Sequence, residues 1–74
     1  MDIEELKEIL QKEKIPEDFY SLKGGLPNES YCIEKKGNIW DVYYSERGSK
    51  TYLKKFDTED EACRHLYKRV KQML

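Results

Sequence analysis

The side chains best suited to chemistry in this chain are two thiols and a single imidazole. They belong to Cys32, Cys63 and His65. Cys63 and His65 are two residues apart, and on a helix that spacing points their side chains away from each other. The sequence has no glycine-rich phosphate loop, no GxSxG motif and no HExxH motif. We therefore predict a protein that is not an enzyme, with no catalytic residues and no cofactor.

The same residues do not form a metal site or a disulfide framework by spacing. Small disulfide scaffolds usually carry four or more cysteines, and this chain has two, without a CxxC motif. Cys63 and His65 have no further ligands close by in sequence that would complete a zinc site. We therefore predict no bound metal and two buried, reduced thiols, as expected for a cytoplasmic protein.

Length and composition predict one folded domain, residues 1–74. A chain of this size buries only roughly 60% of the surface that its unfolded form exposes. Nine aromatic residues supply large side chains for that burial. No apolar run approaches the ~20 residues of a membrane span, and no signal-peptide pattern opens the chain. The sequence therefore predicts a soluble, leaderless protein that does not bind membranes.

Opposite charges are concentrated in the two parts of the chain. Residues 1–46 carry six Lys/Arg and eleven Asp/Glu, whereas residues 47–74 carry eight and four. The isoelectric point of 5.8 lies below the value of ~9 that bulk nucleic-acid binders usually exceed. One interpretation is an ordinary solvated surface. The other is a dipolar molecule whose acidic half meets a basic partner.

Two amphipathic segments are predicted to be helices. Apolar residues recur at helical spacing in the first, which spans about residues 3–13 and has Asp2 as a capping residue. The last segment begins with a capping box, Thr58 to Glu61, and then places an apolar residue at every fourth position. Those residues are Ala62, Leu66, Val70 and Leu74.

Three strands are predicted between the helices, because β-branched and aromatic residues dominate residues 31–35, 39–46 and 50–56. Gly37-Asn38 and residues 47–49 are turn signals that would make consecutive hairpins. The predicted order is α-β-β-β-α. We expect an α+β fold with a three-stranded antiparallel sheet and both helices packed on one face.

The second predicted strand assigns its side chains to the two faces of the sheet. Trp40, Val42 and Tyr44 form the more apolar set, so we expect them against the helices. Asp41 and Tyr43 would then lie on the open face in water. Exposed aromatics mixed with charges are typical of recognition surfaces. The alternative is that residues 16–29 fold over this face and bury Phe19 and Tyr20 there.

Two longer motifs and two short ones stand out between residues 19 and 66. They are Tyr20-Ser-Leu-Lys-Gly-Gly-Leu-Pro-Asn-Glu29, Trp40-Asp-Val-Tyr-Tyr-Ser-Glu-Arg-Gly48, Phe56 and Glu61-Ala-Cys63. Together they resemble a family of small bacterial immunity proteins. The resemblance covers roughly residues 19–66. Members of the family neutralise polymorphic or contact-dependent toxins. The resemblance implies a cytosolic, non-enzymatic protein that binds a cognate toxin domain and has no small-molecule substrate.

The expected partner-binding residues lie on the sheet and its adjoining loops. They are Tyr20, Asn28, Glu29, Asp41, Tyr43, Glu46 and Arg47. Many toxin domains of such systems are basic nucleases, and the carboxylates would pair with their cationic groups. The alternative is purely structural. In that case Arg47-Gly48 only shapes a hairpin, and Asn28-Glu29 is only a turn and a strand entry.

A second resemblance points to nucleic acid. A three-stranded sheet followed by a helix, with Trp40-Asp-Val42 and residues 53–62, is similar to the ethylene-response-type DNA-binding domains of plants and to the arm-binding domains of phage integrases. Those domains read DNA with the exposed sheet. The phosphate contacts would come from Lys35, Lys36, Arg47, Lys50, Lys54 and Lys55, with Tyr43 or Tyr52 packing on bases or sugars. The chain departs from this pattern because it has only one arginine in the predicted sheet.

Overall fold

The computed structural model describes residues 1–74. One helix precedes the strands of the sheet in the sequence, and a second helix follows them. The elements in chain order are helix α1 (Ile3–Lys12), a 3₁₀ turn (Glu17–Phe19), and strands β1 (Tyr20–Ser21), β2 (Ser30–Lys36), β3 (Ile39–Glu46) and β4 (Ser49–Phe56), followed by helix α2 (Glu59–Met73). The predicted α+β class, both helices and the three long strands are confirmed.

The two helices begin at the predicted caps. The Asp2 carboxylate accepts a hydrogen bond from the backbone N–H of Glu5 at 2.8 Å. The Thr58 hydroxyl accepts from the N–H of Glu61 at 3.2 Å and donates to the Glu61 carboxylate at 2.9 Å. Each cap satisfies an N–H group that has no partner within its helix. The acidic first turns of both helices also suit the positive end of the helix dipole.

The sheet has four strands in the order β1-β2-β3-β4, so the expected three-stranded antiparallel sheet is correct for β2, β3 and β4 but lacks the fourth strand, β1. The long strands pair antiparallel, whereas β1 pairs parallel to β2, with Tyr20 opposite Tyr31. The sheet is therefore mixed. Two residues are too few to produce a periodic pattern, which is why the sequence did not reveal β1.

The main core lies between the helices and one face of the sheet. Leu6 and Leu10 of α1 and Leu66 and Val70 of α2 belong to one buried cluster with residues of β2 and β3. Val42 is buried in this cluster, and Trp40 and Tyr44 pack against it. The predicted inward face of β3 is thus confirmed. Burial of each such side chain contributes about 1.5–3 kcal/mol to stability.

Part of the second face of the sheet is covered by the segment 22–29, which we call the covering loop and whose two glycines lie on that face. Because β1 and β2 are parallel, the chain must return along the sheet between them. It does so over the face opposite the helices, and the Tyr43 hydroxyl donates to the Gly25 carbonyl at 2.7 Å. The Ser21 hydroxyl donates to the Gly24 carbonyl at 2.8 Å. These bonds fix the loop on the sheet.

Both residues expected in water on this face are buried. Tyr43 is 0% exposed and Asp41 is 3% exposed. The expectation of an open face is therefore wrong at these two positions. The alternative that the loop folds over this face is right about the cover. It is wrong about the side chains, because Phe19 and Tyr20 pack against the main core, which lies between the sheet and the helices.

We predict that the covering loop depends on glycine at position 24. A Cβ at Gly24 would lie 2.8 Å from Cγ of Glu34, whereas a Cβ at Gly37 would meet nothing within 4 Å. Both glycines have positive φ, 73° and 63°, so Gly37→Ala is a matched control for backbone strain. Gly24→Ala should lower the free energy of unfolding by about 1 kcal/mol more than Gly37→Ala. Urea denaturation measures both, and equal losses would contradict the close contact.

Candidate functional site

A surface cleft of about 550 Å³ lies between the 3₁₀ turn and the end of the covering loop. Its lining consists of Glu17, Asp18, Phe19, Tyr20, Pro27, Asn28, Glu29 and Ser30. Three of these residues are acidic and none is basic, so we call it the acidic cleft. Tyr20, Asn28 and Glu29, which the sequence singled out for partner binding, are all part of it.

The walls of the acidic cleft are held together by Ser30 at the start of β2. Its side chain is buried, and its hydroxyl lies within hydrogen-bonding distance of the backbone carbonyls of Asp18 and Asn28. Asp18 belongs to the 3₁₀ turn, and Asn28 belongs to the covering loop. A buried hydroxyl that bridges both segments fixes the spacing between the two walls.

Two further predicted residues lie beside the cleft because of strand register. Ser30 of β2 is opposite Ser45 of β3, so the turn that follows β3 is next to the residues that precede β2. The Arg47 N–H donates to Oδ1 of Asn28 at 3.3 Å. The structure therefore brings Glu46 and Arg47 to the rim of the acidic cleft.

The carboxylates of Glu29 and Glu46 act on a shared neighbour, Tyr44. Burial raises the pKa of the Tyr44 hydroxyl, and the negative charges of Glu29 and Glu46 raise it further. Tyr44 also packs on Tyr31, with ring centroids 4.9 Å apart. This end of the sheet thus combines carboxylates with aromatic rings, and five of the seven predicted residues lie at or beside the cleft.

The other two predicted residues, Asp41 and Tyr43, lie elsewhere. Asp41 accepts a hydrogen bond from Nζ of Lys55 at 3.1 Å, across the pair of strands β3 and β4. Nζ of Lys50 lies 4.5 Å from the centroid of the Tyr43 ring. Burial raises the pKa of the Tyr43 hydroxyl, so it stays protonated and donates to the covering loop. A partner would contact the Tyr43 side chain only if the loop moved.

A second recess, which the sequence did not reveal, lies between β4 and α2. It measures about 290 Å³ and is lined by Tyr52, Leu53, Lys54, His65 and Arg69. We call it the basic groove. The guanidinium carbon of Arg69 lies 5.4 Å from the centroid of the Tyr52 ring. His65 and Arg69 are four residues apart on α2 and so share a face, but only the packing of α2 on the sheet shows that β4 faces them.

Neither cysteine is placed for nucleophilic chemistry. Cys32 and Cys63 are both buried and form no disulfide, as the sequence predicted. Burial raises the pKa of each thiol to about 11, which disfavours the reactive thiolate at neutral pH. No three His, Cys, Asp or Glu side chains come together in a way that would hold a metal ion.

Comparison of the chain with protein-family models, with curated proteins and with solved structures found no match. Neither helix combines the length and the apolar composition that crossing a membrane requires. The functional argument therefore rests on the acidic cleft and the basic groove themselves.

We predict that His65 titrates below its ordinary pKa of 6.5. Burial lowers the pKa of the imidazole, and the positive charges of Lys54, Arg69 and Lys68 lower it further. Because the folded state binds the proton less well than the unfolded state, stability should decrease as the pH falls through 6.5 toward the folded pKa. Proton NMR of the only imidazole in the chain measures the midpoint.

Substitution Lys54→Glu should move this midpoint upward, because it replaces a nearby positive charge with a negative one. The control is Lys35→Glu, which changes the net charge equally on another strand. A midpoint at or above 6.5 in the unmodified protein would contradict the basic environment of His65.

Proposed function

We propose that this protein binds a basic toxin domain and neutralises it, as small bacterial immunity proteins do. The observation that carries the proposal is the acidic cleft, in which three carboxylates stand without a basic residue. The binding surface consists of this cleft and the adjoining turn at Glu46 and Arg47. In this proposal the protein acts in the cytoplasm and performs no catalysis.

The charges of the cleft favour a cationic partner. Glu17, Asp18 and Glu29 form no ion pair within the chain, whereas the carboxylates of Glu13, Glu34, Asp41 and Asp60 all do. A partner that covered the cleft without supplying positive charge would leave three carboxylates dehydrated and unpaired, which is unfavourable. Lysine or arginine side chains of a basic domain would compensate them and would also steer its approach.

The turn beside the cleft supports the same surface. Arg47 and Gly48 both have positive φ, 52° and 77°, which is the two-residue geometry of a tight hairpin. Asparagine or glycine is preferred at the first of these positions, and an arginine there costs conformational energy. Turn geometry alone therefore does not explain Arg47. An exposed arginine at the rim of an acidic cleft supplies a positive charge beside the negative ones. This pattern of charges helps to fix the register of a bound protein.

The sheet-face mode of DNA binding has less support. The face that would meet DNA is covered by the loop, and Tyr43 is buried beneath it. Three of the lysines assigned to phosphate contacts form ion pairs within the chain, Lys36 and Lys50 with Glu34 and Lys55 with Asp41. A DNA duplex on this face would have to displace the covering loop and draw these lysines away from their carboxylates.

We predict that charge reversal in the cleft weakens toxin binding. The partner would be the product of the neighbouring reading frame, obtained by co-expression and affinity purification. Glu17→Lys and Glu29→Lys should each reduce affinity by about tenfold or more, because each replaces an attractive contact with a repulsive one. Isothermal titration calorimetry measures the dissociation constants.

The control for this experiment is Glu8→Lys, which makes the same charge change at an exposed position of α1 outside the cleft. It should leave affinity within about twofold. Circular dichroism confirms that each variant is folded. A complex whose affinity is the same in all three variants would reject the cleft as the binding surface, and failure of the co-expressed pair to associate would reject the toxin itself.

A further inference from the structure

Tyr52 has a backbone conformation that its residue type does not favour. Its φ is 55°, in the left-handed region, where a bulky side chain is a true outlier. It lies at a β-bulge, because the regular pairing of β3 with β4 is interrupted between Val42 and Tyr44. Bulges that need positive φ usually have glycine at that position. The bulge therefore explains the conformation but not the presence of tyrosine.

Burial does not explain the tyrosine either, since Tyr52 is 67% exposed and its neighbour Leu53 is 46% exposed. One internal contact of the Tyr52 ring is the guanidinium of Arg69, and an exposed cation–π pair of this kind is weak. Glycine at position 52 would relieve the strain of the positive φ. The fold would lose only an aromatic ring that is mostly exposed to water. Strain of this kind in native proteins is concentrated at functional sites.

The surroundings of the ring are basic and uncompensated. Lys54, Lys68 and Arg69 form no ion pair, and no acidic residue lines the basic groove. The Arg69 side chain donates one hydrogen bond, from NH1 to Oε1 of Gln72 at 3.4 Å, and its buried Nε has no acceptor. An anion at the groove would therefore meet positive charge that no carboxylate of the chain neutralises.

We propose that the basic groove is a binding site for a nucleotide, either free or as one unit of single-stranded nucleic acid. The base would stack on the Tyr52 ring, and the phosphate would lie against Lys54 and Arg69. Stacking on an exposed aromatic beside a basic track is how proteins hold unpaired bases without reading their sequence. The groove, about 290 Å³, is close to the lower limit of small-ligand sites.

This site is separate from the proposed toxin surface. β1 and β4 are the two opposite edges of the sheet, with the acidic cleft beside β1 and the basic groove beside β4. The proposal does not depend on toxin binding, and the residues that test the two differ. It also differs from the sheet-face mode, because it uses the edge of β4 and α2 and leaves the covering loop in place.

The test is fluorescence anisotropy with a fluorescein-labelled 12-mer of thymidylate at low salt. Tyr52→Gly should weaken binding at least tenfold, because it removes the stacking ring, while the melting temperature is unchanged or raised, because it relieves the positive-φ strain. Lys54→Glu should weaken binding by a similar factor. Lys35→Glu, with the same net charge, should weaken it less than threefold.

Further probes separate the possible ligands. Competition by uridine monophosphate at millimolar concentration would assign the site to free nucleotides as well as strands, and its absence would assign it to strands alone. Either result supports the proposal, provided that Tyr52→Gly abolishes binding of the ligand concerned. Absence of binding by both probes would overturn it, as would binding that Tyr52→Gly does not change. Poly-glutamate competing as well as the oligonucleotide would also overturn it, since charge alone would then explain the affinity.

Discussion

Strand β3 is buried on both faces, and the architecture of this small chain follows from the need to cover it twice. Val42 points into the core beneath the helices, and the next residue, Tyr43, points to the opposite face and is equally buried. Two short helices suffice for one face only. On the other face, Tyr43 is covered by the loop between β1 and β2, which is held by the tyrosine hydroxyl that donates to a backbone carbonyl of the loop. Satisfying that hydroxyl is what makes the burial of Tyr43 favourable.

The loop can cross the sheet only because the chain first pairs with the edge of β2 that faces away from β3. Tyr20 and Ser21 form two residues of parallel strand, and from there the chain returns over the sheet to begin β2. The acidic cleft is a direct product of this path, since its walls are the segment before β1 and the segment before β2. The element that completes the fold thus also builds the candidate site.

Charge is separated across the sheet by the same arrangement. On the covered face, Glu34 and Asp41 are each paired with lysines that reach across from β4. Such pairs contribute little when both partners are exposed, but Asp41 is buried and would be left unpaired without Lys55. These internal pairs use up charge in the middle of the sheet. The acids of the cleft, Glu17, Asp18 and Glu29, remain unpaired beside β1, and the bases of the groove, Lys54 and Arg69, remain unpaired beside β4.

Much of the fold could be predicted from local patterns. The caps at Asp2 and Thr58, and the inward set that includes Val42, follow from spacing and residue type alone. The burial of Asp41 and Tyr43 could not be predicted, because alternation identifies two faces but does not say whether a loop returns over the more polar one. Likewise, Glu29 could be placed near Glu46 once hairpin register was known. Glu17 and Asp18 could not, because only tertiary packing brings the 3₁₀ turn there.

The double cover also separates the two thiols into different compartments. Cys32 lies on the face beneath the covering loop, whereas Cys63 lies in the core between the helices and the sheet. A thiol reagent can reach Cys32 when the loop alone detaches, but it reaches Cys63 only when a helix leaves the sheet. The labelling rates of the two residues therefore report two opening events of different size, and the protein carries its own pair of probes for the order in which its layers come apart.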